Sequence, residues 1–264
     1  MDIVDIVNKK QEKFIKDRSR HIKTDALSKV GLFDKDLYFW EGDNVAQIVT
    51  GGYNSSDLYF MFSIREAIGK EGKINLIHRT SESLYAIAKS ILDGNLKESE
   101  EHYLTKSGIK EINEMLNQAN ISVYLQDIPP FPKGIKNDSL DAILTLDTVR
   151  TLIRLEGKIP IMDRTLPQIY KKLSPHDGDL IFHSELIEDI ACVVQNALRI
   201  GAANKMYMTP EIPGFGLIDK IMRARDNFYK ILNNPGERDK DSNYPAFPGS
   251  ASGYFSILTK DEDS

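Results

Sequence analysis

The feature that most limits how this chain can fold is the exchange, from Val45 onward, between short apolar runs and longer stretches of helical periodicity. The apolar runs lie at 45–50 (VAQIVT), 73–78 (KINLIH), 121–126 (ISVYLQ), 140–146 (LDAILTL) and 179–184 (DLIFHS). Each has the length of a strand, and their exchange with helical stretches is the βαβ alternation that implies a parallel sheet with helices on both faces. Helical patterns fall between them, near 56–68, 81–92, 107–118, 162–173 and 185–200. Parallel strands joined by helices are connected by right-handed crossovers. The expected architecture is therefore a doubly wound, mostly parallel α/β sheet with helices on both faces and a ligand crevice at the carboxyl ends of its strands.

The remaining segments are placed around this sheet. Residues 1–44 form a lead-in, with Ile3, Ile6, Val7, Phe14 and Ile15 at helical spacing over 3–18, followed by the aromatic, turn-rich GLFDKDLYFWEGD, whose rings are expected to pack onto the body. The domain proper is expected over 45–264. DGNLKESEEHYLTK (93–106) reads as a charged, solvated insertion, and about 205–250 as a helical insertion built on the stripe Ile218, Ile221, Met222, Phe228, Tyr229 and Leu232. A Pro/Gly-rich loop then leads to GYFSILT (253–259), expected to close the sheet as an edge strand.

Composition narrows the partners. A net charge of −5 argues against broad binding to nucleic acid or anionic membranes, which leaves small molecules or proteins as substrates and partners. Cys192 is the single cysteine, so neither an internal disulfide nor a cysteine-based zinc cluster is expected. The five histidines, His21, His78, His102, His176 and His183, share no metal-ligand spacing, so no metal site is expected. The first residues, MDIVDIVNKKQEKF, carry acids among the apolar positions and match neither a secretory signal nor a membrane span; a cytoplasmic protein is expected.

Chemistry concentrates at the ends of the expected strands. In VTGGYNSSD, Gly51 and Gly52 sit between a strand and a helix N-terminus, where backbone N–H groups and the helix dipole favour an anionic or nucleotide ligand. Tyr53, Asn54 and Ser55 follow where further glycines would ease close approach of a ligand. A purely structural turn accounts for the same residues.

The segment ISVYLQDIPPFPKGIKNDSLDAILTLDTV resembles the middle of the class I S-adenosylmethionine-dependent methyltransferase family. The features shared with that family are Asp127 ending the third strand, the segment Pro130-Phe131-Pro132, and Ser139-Leu140-Asp141 opening the fourth strand. LPQIYKKLSPHDGDLIF (166–182) is similar to the family's helix, turn and fifth strand, and IGKEGKINLIHRTSESL to its entry to the second strand. The likeness covers about residues 45–200.

The resemblance implies a methyltransferase-like fold, S-adenosyl-L-methionine as cofactor, and a cofactor-binding set of Gly51, Gly52, Tyr53, Asn54, His78, Arg79, Asp127, Ile128 and Leu146. Asp127 would hold the adenine amino group, and Asp147, at the crevice end of the fourth strand, is the candidate catalytic base. The sequence departs from the family at two places. The glycine loop stops after two glycines, and His78-Arg79 stands where an acid usually holds the ribose hydroxyls. A carboxylate accepts two O–H bonds, neutral imidazole accepts one, and Arg accepts none.

Two alternatives stay open. One is a methyltransferase-like protein without activity that serves as a partner subunit or binds another ligand. The other is a short-chain reductase, which VTGGYNSSD and LIHRTSESL also resemble and in which Arg79 would face the 2′-phosphate of NADP. The reductase's Tyr-x-x-x-Lys is missing after the fifth strand.

Overall fold

A computed structural model describes residues 2–16, 39–49, 55–92, 94–126, 130–145, 155–156, 159–175, 178–184, 205–209 and 254–260. The helices are α1 (Ile3–Lys16), α2 (Ser55–Ile68), α3 (Ser81–Leu92), α4 (Glu100–Tyr103), α5 (Lys106–Asn117) and α6 (Ile161–Lys172). The strands are β1 (Asn44–Val49), β2 (Lys73–His78), β3 (Ile121–Leu125), β4 (Ala142–Thr145), β5 (Leu155–Glu156), β6 (Ile159–Pro160), β7 (Asp179–Ser184), β8 (Lys205–Thr209) and β9 (Tyr254–Thr259). The expected helices at 185–200 and 214–234 lie outside the described residues.

Seven strands form one sheet in the order β3-β2-β1-β4-β7-β9-β8, and β5 pairs with β6 in a separate antiparallel ribbon. The first five run parallel, from Ile74 opposite Ile121 at one side to Ala142 opposite Asp179 at the other. β9 runs antiparallel between β7 and β8. The chain steps outward from β1 through β2 to β3, then restarts at β4 on the other side of β1. Order therefore reverses between β1 and β4, and the crevice of a doubly wound sheet opens at their carboxyl ends.

Because the two halves step in opposite directions, right-handed crossovers place their helices on opposite faces. The register and the two-residue period set the faces of the sheet. One face carries Val45, Ile74, Leu76, Ile121, Val123, Ala142 and Leu144, and these form one buried core with Val7 of α1, Met61 and Phe62 of α2, Leu84 and Ile87 of α3, and Ile112 and Leu116 of α5. The opposite face carries Ala46, Ile48, Ile77 and Ile143, and the connection through α6 adds buried Leu166, Ile169 and Leu173.

Three expectations are corrected. The segment 205–209, KMYMT, is a strand rather than the start of a helical insertion: it pairs along β9, where its β-favouring Tyr and Thr suit an extended edge. The strand near 253–259 is interior, because β8 takes the edge. The charged run at 93–106 is anchored rather than merely solvated. Tyr103 is fully buried, its hydroxyl accepts the N–H groups of Lys97 and Glu98, and its ring stacks on Tyr85 at 6.1 Å. α4 then turns into α5 at Gly108, where a Cβ would lie 2.3 Å from the carbonyl oxygen of His102.

Candidate functional site

The two ends of the parallel sheet differ in how their polar groups are satisfied. At the amino end the hydrogen bonds form a closed net. The Asn75 side-chain amide donates to Asn44 Oδ1 at 2.7 Å and to the Val45 carbonyl at 3.1 Å. Asn44 in turn donates its side-chain N–H to the Ser139 carbonyl at 2.6 Å, while its backbone N–H goes to Asp141 Oδ2 at 2.8 Å. Backbone bonds from Lys73 to Asp43, from Asp141 to Asn44 and from Asp179 to Asp141 continue the net across β2, β1, β4 and β7. Asp43 is part of it. Burial pushes its carboxyl above the usual range, the Trp40 N–H holds it back, and the neighbouring Asp141 charge raises it further.

At the carboxyl end the net stops. His78 closes β2 with none of its surface exposed, and neither ring nitrogen has a hydrogen-bond partner. Its register neighbours are Val49 and Leu125, so the ring lies on the face covered by α1 to α5 among apolar side chains. Desolvation lowers its pKa from 6.5 to about 4, which keeps the imidazole neutral at pH 7. Thr145 closes β4 on the opposite face beside Ile48; it is 2% exposed, and its hydroxyl also has no partner. The great majority of buried polar groups are hydrogen-bonded, and an orphan costs about 1–3 kcal/mol.

Beyond His78 the chain turns directly into a helix. Arg79 and Thr80 are exposed, Thr80 Oγ1 accepts the Ser83 N–H at 3.3 Å, and α3 begins at Ser81. Thr80 thus acts as the N-cap and fixes the β2-to-α3 turn. On β3, the backbone N–H of Gln126 donates to the His78 carbonyl at 2.8 Å, which carries the β2–β3 pairing to the end of the sheet, and Leu125 is 41% exposed there. After β3, Phe131 is buried and its N–H is held by Gln168 Oε1 of α6 at 2.8 Å, fixing the Pro-Phe-Pro segment against the second helical layer.

Of the candidate cofactor-binding and catalytic residues, His78 and Arg79 are described. Gly51, Gly52, Tyr53, Asn54, Asp127, Ile128, Leu146 and Asp147 lie outside the described residues. Their places along the chain are fixed by the elements around them. The glycine pair falls between β1 and α2, Asp127-Ile128 follows β3, and Leu146-Asp147 follows β4. All three connections leave from carboxyl ends of parallel strands.

Sequence reasoning missed Thr145, because a threonine inside LDAILTL reads as ordinary strand filler. Nor did it anticipate that His78 would be closed to solvent. Among the described residues no group of three or more His, Cys, Asp or Glu could hold a metal ion, and no helix is long and apolar enough to cross a membrane.

No protein-family model matches the sequence, and no curated protein does. Solved structures of methyltransferases do match by shape. One is an S-adenosylmethionine-dependent O-methyltransferase from Thermotoga maritima (12% identity, 84% of this chain, TM-score 0.44). The chain spans 60% of that protein's length. Another is an S-adenosylmethionine-dependent methyltransferase from Aquifex aeolicus (13% identity, 94% of this chain and 97% of that one, TM-score 0.41). A third is a chain from the complex between the Haloferax volcanii Trm112 methyltransferase activator and a candidate methyltransferase (12% identity, 95% of this chain and 94% of that one, TM-score 0.46).

Proposed function

We propose that this chain is a methyltransferase-like protein that binds S-adenosyl-L-methionine in the crevice at the carboxyl ends of β1, β2, β3 and β4 and transfers its methyl group to a small-molecule or protein acceptor. One observation carries the reading. The motif segments Gly51-Gly52, His78-Arg79, Asp127 and Asp147 follow four consecutive parallel strands at the end where their order reverses, the position at which open α/β sheets bind ligands.

The described residues fit this cofactor in their donor chemistry. His78 is uncharged and has one free acceptor and one free donor, which suits hydroxyl groups. When bound, the cofactor would supply an electrophilic methyl group on a sulfonium centre. The rest of the work falls to the protein. The β1-to-α2 turn with Gly51 and Gly52 would admit the ligand close to the backbone, with Tyr53 and Asn54 narrowing it, and Asp127 with Ile128 would hold the base. Asp147 would take the proton that an O–H or N–H acceptor must lose, while Leu146 would help to exclude water. Placement of the acceptor in line with the methyl group supplies most of the rate, so few fixed catalytic residues are needed.

A second reading rests on His78 itself. The β2 end presents no carboxylate and a closed ring, which suits a methyltransferase-like partner subunit without activity. Calorimetric titration with S-adenosylmethionine and S-adenosylhomocysteine separates the two. Binding by both, followed by methyl transfer to an added acceptor pool, is expected for the enzyme; absence of heat together with no thermal shift at millimolar ligand would sink it. Binding of NADPH in their place would favour the reductase suggested by Arg79.

A further inference from the structure

The two outer strands of the seven-stranded sheet, β3 and β8, are built differently. At β3 the Gln126 N–H goes inward to the His78 carbonyl, so by the alternation of a parallel ladder the Val123 N–H points away from the sheet. That group is taken: Asn113 Oδ1 of α5 accepts it at 2.7 Å. The Ser122 hydroxyl of the same strand donates to Asn117 Oδ1 of α5 at 2.8 Å. A helix thus blunts this edge against the addition of a further strand.

Among the described residues β8 is the outermost strand on the other side, paired with β9 along all five of its residues. In an antiparallel ladder every second residue directs its N–H and C=O away from that partner. The strand sequence, KMYMT, holds no proline and a single charge, which stands at its first residue; Pro210 follows directly and ends it. Its centre, Met206-Tyr207-Met208, reads the same in both directions.

We propose that β8 is a homodimerisation edge: it pairs antiparallel with β8 of a second copy of this chain about a two-fold axis at Tyr207, so that two sheets run on as one. The palindrome argues for a second copy over an unrelated strand, because an isologous contact demands residue i opposite j and j opposite i. Centred on Tyr207, the pairing sets Met206 opposite Met208 of the second copy, Tyr207 opposite Tyr207, and Lys205 opposite Thr209. This register uses all five residues and keeps the two lysines apart, whereas centring on Lys205 would set like charges face to face. The faces of the sheet also continue. Tyr207 stands beside Ile257, and Ile257 beside Ile181 of the core under α1 to α5, while Met206 and Met208 stand beside Leu258 and Ser256 on the opposite face. A two-fold axis perpendicular to the sheet keeps each position on its own face. β7 and β9 separate this edge from the crevice at β1 and β4, so the inference does not depend on what binds there.

Five residues from each copy make a small interface, of the weak and transient class. The test is sedimentation of the full chain over about 1–100 μM, wild type beside Thr209→Lys and Thr209→Glu. The first substitution sets like charges against Lys205 at both ends of the pairing, and the second sets opposite charges there. Wild type is expected to pass from monomer to dimer across the range. Its dissociation constant should rise about fivefold or more in Thr209→Lys and fall about threefold or more in Thr209→Glu, with the gap narrowing in about 1 M salt. A fold defect would weaken both variants, so the opposite signs separate pairing from stability. A monomer at every concentration would overturn the proposal. So would a dimer on which the two substitutions act alike or not at all, since its contact would then lie elsewhere.

Discussion

The amino and carboxyl ends of the same parallel strands are built on different terms. Asn44, Asn75 and Asp141 tie β1, β2 and β4 together at one end through bonds of 2.7–3.1 Å, whereas His78 and Thr145 close the other end of β2 and β4 without a partner. Both ends draw on the same strands and the same flanking core. The difference lies in what the side chains do: at one end they join strands, and at the other His78 and Thr145 add no such bond.

The contrast can be broken by pH. The folded chain holds the His78 pKa at about 4, against 6.5 for an unperturbed histidine. Between those values the unfolded chain takes up a proton that the folded chain does not, so stability falls as pH falls through this window and levels off below it. The loss is on the order of 3 kcal/mol. Denaturant melts from pH 7.5 to 4 should show it in wild type and show a smaller decline in His78→Leu; equal declines would place the acid sensitivity elsewhere.

A smaller effect is expected at the amino end. Asn75→Ala removes two donors and leaves Asn44 Oδ1 and the Val45 carbonyl without them, a cost of about 1–3 kcal/mol. Ligand affinity should be unchanged, since this end faces away from the crevice. A variant that is as stable as wild type, or that loses binding, would blur the distinction between the two ends.

The smallest effect is expected at the clip beyond β9. Lys260 Nζ donates to Asp138 Oδ1 at 2.7 Å and to the Leu173 carbonyl at 2.9 Å, and lies 4.9 Å from the Tyr170 ring centroid. Asp138 is 56% exposed, so solvent screens the pair, and Lys260→Met should cost about 1 kcal/mol or less. Chemical denaturation in 0.1 M and 1 M salt measures both the size and the screening.

Much of this fold was legible in the sequence, for a physical reason. Strands covered by helices leave short, mostly apolar runs, and all five runs named at the outset became the parallel strands β1, β2, β3, β4 and β7 within a few residues. Strand order was less legible. The exchange of position between β8 and β9 depends on pairing across some 45 intervening residues, which no local pattern encodes. Tyr103 escaped notice because one aromatic ring in KESEEHYLTK gives no periodicity, although Ser99 and Thr105 stood there as helix caps. For the site, sequence identified His78 by its place after the second strand. Its burial, and the orphaned hydroxyl of Thr145, come from packing that a linear pattern does not record.

Hydrogen exchange with and without S-adenosylhomocysteine tests the central claim most directly, because it reports on both ends of every strand in one measurement. The account predicts added protection at the carboxyl end, in residues 49–55, 78–81, 126–128 and 145–148, and none at 43–45, 73–75 or 139–142. Protection confined to the amino end, or no change in a protein that binds the ligand, would contradict it.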